Sequence, residues 1–161
     1  MKTSLLALVV TALAAALVLP ALGIGGGDGR KVTDGKVLAP VTAPYTGAAN
    51  PIRGLNGGGV PWQIGDASAD LRADGRLHVD VQGLVLASTG ANPVAQFKAI
   101  VSCQTTSNGA AAVANVSSPL VAASPAGDAE IDTTIALPSP CIAPIVFVTS
   151  AGGSWFAASG R

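Results

Sequence analysis

Apolar and polar side chains alternate with a period of two along much of this chain. Leu77, Val79 and Val81 alternate with His78, Asp80 and Gln82, and Phe97, Ala99, Val101 and Cys103 alternate with Gln96, Lys98, Ile100 and Ser102. Further on, Ala129, Ile131, Thr133, Ile135 and Leu137 alternate with Asp128, Glu130, Asp132 and Thr134. Successive side chains of a strand point to opposite faces, so each stretch predicts a half-buried strand. Leu84-Val85-Leu86 and residues 145–148 are unbroken apolar runs, the pattern of strands covered on both faces. Trp155-Phe156 follows a Gly152-Gly153 turn signal, and no segment beyond the N-terminal apolar run carries a sustained apolar stripe of helical period.

Turn chemistry fixes one register. A two-residue Asp74-Gly75 loop would set Leu71 opposite His78, core against polar. A three-residue loop, Ala73-Asp74-Gly75, sets Leu71 opposite Leu77 and leaves Gly75 where positive φ is needed, so a type I turn with a G1 bulge is predicted. Asn108-Gly109 marks a second turn, between the strand carrying Cys103 and a weaker strand over residues 113–116. Residues 37–41 predict a short edge strand, because prolines 40 and 44 exclude a central one. About seven or eight short strands separated by turns predict an all-β fold, an antiparallel β-sandwich of the Ig-like, Greek-key type, with a small β-barrel as the alternative.

The beginning of the chain reads differently. Lys2 is followed by an uncharged apolar run over residues 5–19 and then Pro20, Ala21 and Gly23, the order of a secretory signal peptide over residues 1–23. Residues 24–35, with glycines at 25, 26, 27, 29 and 35, predict a flexible leader, and residues 36–161 a single disulfide-linked β domain. The mature chain is expected near Leu22 or Ile24, outside the cytoplasm, either extracellular or in the cell envelope. No membrane span is expected once the signal is removed.

Composition narrows the functional classes. Of 161 residues, 9 are basic and 9 acidic, 11% are charged and 4% aromatic. With no positive excess to displace counterions from phosphates, a nucleic-acid partner is excluded. The only two cysteines, Cys103 and Cys141, lie in the exported part, where such a pair predicts a disulfide. Their separation of 38 positions corresponds to about 4 kcal/mol of stabilisation in the chain-entropy model.

Candidate chemistry is sparse. His78, the only histidine, shares a strand face with Asp80, which permits a histidine–carboxylate dyad, but no Ser or Cys nucleophile is assigned to it by spacing. A solvated surface histidine is the plainer interpretation. Asp128, Glu130 and Asp132 line one face of one strand and are the only candidates for holding a hard cation such as Ca²⁺, which wants six or more oxygens from several loops. A charged stripe that keeps an edge strand soluble explains them more simply. Residues 54–59, GLNGGG, lack the strand-before, helix-after setting of a phosphate loop and predict a wide, mobile connection. Residues 150–154 lack the G-x-S-x-G order of a nucleophile elbow and predict a hairpin turn. Trp62, Trp155 and Tyr45 suggest a sugar-stacking platform, although scattered aromatics are more often core or rim. Asn115-Val116-Ser117 is a formal glycosylation sequon.

The segments NPVAQFKAIVSC around Cys103 and LPSPCIAPIVFVTSAGGSWFAASG around Cys141 resemble a family of small exported bacterial proteins. The likeness spans roughly residues 52–161 and implies export and a paired cysteine bridge, with no catalytic residue to carry over. Taken together, the sequence predicts a secreted, non-catalytic β module without cofactor. It would have a structural or binding role toward a protein or cell-envelope component. A secreted enzyme built around His78 and Asp80, or a cation-dependent module using Asp128, Glu130 and Asp132, are the alternatives.

Overall fold

Hydrogen bonding joins these alternating segments into one long antiparallel strip. The computed structural model describes residues 30–160, so the predicted signal peptide and residues 24–29 of the predicted leader lie outside the described residues. Among the described residues there are eleven strands and no helix. They are β1 (Lys31–Pro40), β2 (Trp62–Gln63), β3 (Asp66–Arg72), β4 (Arg76–Gln82), β5 (Val85–Leu86), β6 (Gln96–Ser107), β7 (Ala110–Ser117), β8 (Val121–Ala122), β9 (Ala129–Thr134), β10 (Ile142–Thr149) and β11 (Trp155–Ser159). The main sheet runs β7-β6-β10-β11-β1-β3-β4-β9, with β8 also on β6, and β2 pairs separately with β5. The fold is all-β, as the alternation predicts.

The strip folds over at β1. Residues 31–37 pair with β3 and residues 38–40 with β11, so one strand belongs to both layers. Layer A holds β3, β4 and β9, and layer B holds β11, β10, β6 and β7. At the far end β9 comes against β8. No ladder joins them, so the sheet is curled without being closed by hydrogen bonds.

Two expectations about this region change. The leader was expected to extend through residue 35, yet β1 begins at Lys31. The reason is local: Thr33 is buried, its Oγ1 accepts from Leu71 N at 3.0 Å and donates to the Ala69 carbonyl at 3.4 Å, and Gly35, at φ +53°, absorbs the register shift that follows. The strand expected at an edge over residues 37–41 lies inside the sheet instead, between β11 and β3, and Pro40 is its last residue.

The inward phase follows the sequence pattern. Leu71, Leu77, Val79, Val81 and Ile131 of layer A and Phe97, Ala99, Val101, Val146 and Val148 of layer B all belong to one buried cluster. Small and large residues alternate across the ladder, Ala67 opposite Val81 and Ala69 opposite Val79, which lets two layers of few aromatics pack closely. Leu71 pairs with Leu77, and Gly75 has φ +87°, the register and turn read from the sequence. A Cβ on Gly75 would also run into the Ile135 carbonyl, whose own N–H donates to the Gly75 carbonyl at 3.0 Å. Asn108 and Gly109 both have positive φ and close the β6–β7 hairpin in two residues.

The central strands of layer B are covered on their outer face too. Ile100 and Ser102 stand on the phase expected to be polar and solvated, yet both are buried, as are Phe147 and Thr149. The cover is the connection from β1 to β2, which includes the glycine loop. Gly57 and Gly58 are buried, Gly58 N donates to the Trp155 carbonyl at 2.7 Å and Trp155 N to the Asn56 carbonyl at 3.0 Å. A Cβ at Gly57 would collide with the Tyr45 carbonyl, and one at Gly58 would come within 2.9 Å of Trp62 Nε1. The loop is therefore a packed strap and not the wide, mobile connection expected, and its glycines serve close approach. Arg53 fastens it, donating to the Ser102 carbonyl at 2.6 Å and the Ala143 carbonyl at 2.7 Å.

The Cys103–Cys141 disulfide forms, with the Cα atoms 4.9 Å apart. It joins β6 to the residue before β10, neighbours in the same layer, beside the register shift between Ile142 and Ile145. The bridge and Arg53 thus hold the same two strands where their ladder is interrupted.

Two outcomes follow for stability. Replacing both cysteines by serine lowers unfolding free energy by about 2–4 kcal/mol, read from urea titrations of the two proteins. Arg53→Ala removes two charge-assisted hydrogen bonds at a half-buried site and lowers it by about 2 kcal/mol, with Trp emission shifting to the red as the strap loosens over Trp155.

Candidate functional site

Polar side chains that alternate with the core of layer A emerge on its outer face. Antiparallel pairing brings the two candidate sets together there: His78 of β4 stands between Asp70 of β3 and Asp132 of β9, and Asp80 between Ser68 and Glu130. His78 Nδ1 lies 3.9 Å from Glu130 Oε1. Lys31, Arg72 and Arg76 occupy one end of this face, with Lys31 Nζ 3.9 Å from Asp70 Oδ1. Asp70 Oδ1 also accepts from Gly35 N at 2.9 Å. Directly opposed side chains on such a face are within reach of one another, so the face is a mosaic of alternating sign.

The acidic stripe divides on inspection. Asp128 is a structural acceptor: its carboxylate takes Gly83 N at 2.9 Å and Ser124 Oγ at 3.1 Å, closing the turn before β9 and tying it to the end of β4. Glu130 and Asp132 are exposed on the terminal strand of layer A. Among the described residues no group of three or more His, Cys, Asp or Glu side chains is arranged to hold a metal ion. Two of the three acidic candidates project from one strand at a spacing of about 7 Å, and the third is engaged in its turn.

The surface here is shallow. One open depression, of about 450 Å³, is lined by Asp80, Gln82, Asp128 and Glu130, and another, of about 250 Å³, by Lys31, Asp70, Arg76 and His78. Deep ligand clefts bury most of a small molecule, whereas these depressions open to solvent and their apolar lining is confined to Val81, Ala129 and Leu77. His78 has no hydroxyl or thiol in its own row, since Asp70 and Asp132 flank it and the cysteines are joined, and the hydroxyl in the neighbouring row, Ser68, stands opposite Asp80.

The remaining candidates fall into structural roles. Trp62 stacks on Phe156 with ring centroids 4.0 Å apart, and both Trp62 and Trp155 are buried, so the aromatics form core and strap contacts in place of a sugar platform. Ser150 N donates to the Ser154 carbonyl at 2.9 Å, closing the expected hairpin turn. Asn115 is exposed, and its Nδ2 donates to the Arg53 carbonyl at 3.2 Å. Asp70, Lys31 and Arg76 were not anticipated. The predicted Leu71–Leu77 register already implies Asp70 opposite His78, whereas the approach of β9 to β4 has no local signal.

Comparison with protein-family models, with curated proteins and with solved structures finds no match to this chain. No helix among the described residues is long and apolar enough to cross a membrane.

One group on the exposed rim titrates away from its ordinary value. Arg76 donates through Nε to Asp74 Oδ2 at 2.7 Å and through its backbone N–H to Oδ1 at 3.1 Å, which holds the Asp74 carboxyl below the usual aspartate range. A carboxyl lowered in the folded state stabilises the fold above its unfolded value and loses that contribution as pH falls through the folded one. Arg76→Ala is expected to raise the Asp74 titration midpoint toward the ordinary aspartate value in carboxyl NMR, with the acid end of the stability profile losing part of its slope.

Proposed function

We propose that this chain is a secreted, non-catalytic β module that acts by surface contact at or outside the cell envelope, as the resemblance to small exported bacterial proteins implies. One observation carries the proposal: the chemistry-bearing side chains lie as a mosaic of opposite charges on an open outer face, Lys31 and Arg76 at one end and Asp80 and Glu130 at the other. Open faces of mixed charge set orientation and partner choice more than they supply affinity. A general base needs a proton donor of the reacting pair within hydrogen-bond reach, and His78 has carboxylates on both sides. The disulfide is compatible with an oxidising compartment and adds support for export.

The expected outcome is intact-mass recovery of a chain starting near Leu22 or Ile24 from culture medium or envelope fractions. Purified protein should bind isolated envelope material with affinity that falls as salt rises, and Glu130→Lys/Asp132→Lys should weaken binding at least threefold. Retention of full-length chain in the cytoplasm would contradict export. A reproducible turnover abolished by His78→Ala would contradict the non-catalytic assignment.

A further inference from the structure

Strand β7 ends the sheet on the layer B side, and the backbone groups of residues 110–117 that face away from β6 pair with no strand among the described residues. Edges of this kind are usually protected by lysines, prolines, bulges or brevity. β7 has none of these: AAAVANVS is eight residues long, carries no charge and no proline, and pairs with β6 from Ser107↔Ala110 to Ile100↔Ser117 without a register shift. Val113, in its middle, is 49% exposed. The opposite terminal strand, β9, presents Glu130 and Asp132 and lies against β8.

We propose that β7 is a self-association edge, taking β7 of a second copy of this chain in antiparallel register about a two-fold axis. The occupant follows from charge. No charged residue lies between Lys98 and Asp128, so two copies of this edge meet without repulsion, whereas two copies of β9 would bring Glu130 and Asp132 together and β9 already lies against β8. Pairing satisfies unpaired N–H and C=O groups on both copies and joins the two B layers into one continuous sheet. The strand spans about 26 Å, and a contact of small side chains of that length falls below the ~1,200 Å² of a standard interface, so the dimer is weak and concentration-dependent. This pairing leaves the outer face of layer A open and stands independently of the function proposed above.

Sedimentation velocity of the purified protein from about 5 to 500 µM tests it, the range in which an interface of that class dissociates. The expected result is a monomer–dimer equilibrium that stops at two copies. Amide-exchange protection should rise with concentration in residues 110–117 and not in β9. Ala111→Lys/Val113→Lys, both at exposed positions, should weaken association at least tenfold, while Glu130→Lys leaves it unchanged. A monomer across the whole range, open-ended growth, or protection that appears in β9 in place of β7 would overturn the proposal. The exchange measurement on the unmodified protein decides it without relying on the variants.

Discussion

Ten residues, Lys31–Pro40, are hydrogen-bonded to both layers: residues 31–37 to β3, and residues 38–40 to β11. This shared strand lets a single strip become two facing layers, because the core closes only when the strip bends where Leu38 points inward from the junction. Gly35 supplies the positive φ that a side-chain-bearing residue adopts only at a cost of about 1–2 kcal/mol, and buried Thr33 ties the bent segment back to β3. With the bend made, the inner faces of both layers share one apolar cluster, and the chain after β1 passes directly over the outside of layer B.

That passage explains why the central strands of layer B read as nearly continuous apolar sequence. Ile145 through Val148 face the core on one side and the strap on the other, and Phe147 meets Trp155 at 5.8 Å between ring centroids under that cover. Parallel sheets acquire two buried faces from crossover helices. Here an irregular segment performs the same task, and it does so only because Gly57 and Gly58 allow backbone to lie on backbone and Arg53 fills the carbonyls left by the broken β6–β10 ladder. The disulfide acts at the same discontinuity, so a covalent bond and charge-assisted hydrogen bonds converge where backbone pairing is interrupted.

What was legible in the sequence was local. Side-chain period and the conformational demand at Gly75 fix the β3–β4 hairpin to the residue, because a slip by one would turn Leu71 and Leu77 to opposite faces. The Asn108-Gly109 turn is legible for the same reason. Burial of Ile100 and Ser102 was not, since the residues covering them lie about fifty positions earlier in the chain and look like a loose glycine loop. The first half of β1 is not legible as strand, because a glycine-rich stretch resembles a leader when the pairing partner is unknown. The site divides likewise: Asp70 opposite His78 is implied by the hairpin register, but the meeting of His78 with Glu130 and Asp132 depends on β9 joining β4 across nearly fifty intervening residues.

The same pairing also sorts the charges. Asp66, Asp70, Arg72, Asp80, Glu130 and Asp132 all belong to layer A, whereas β7, β10 and β11 contain no ionisable side chain and β6 contains only Lys98. Near-zero net charge therefore conceals two unlike surfaces. Layer A keeps its outer face wet through paired charges that cost little to solvate. Layer B has the outer face of its central strands, β6 and β10, largely buried under the strap, while Val113 and Asn115 of β7 stay exposed on that side. A neutral chain that solvated both layers with charge would need more ionisable residues than 11% of its length provides. Covering one layer with its own backbone is the physical solution this composition permits, and it leaves the charged side chains on the open face of the other.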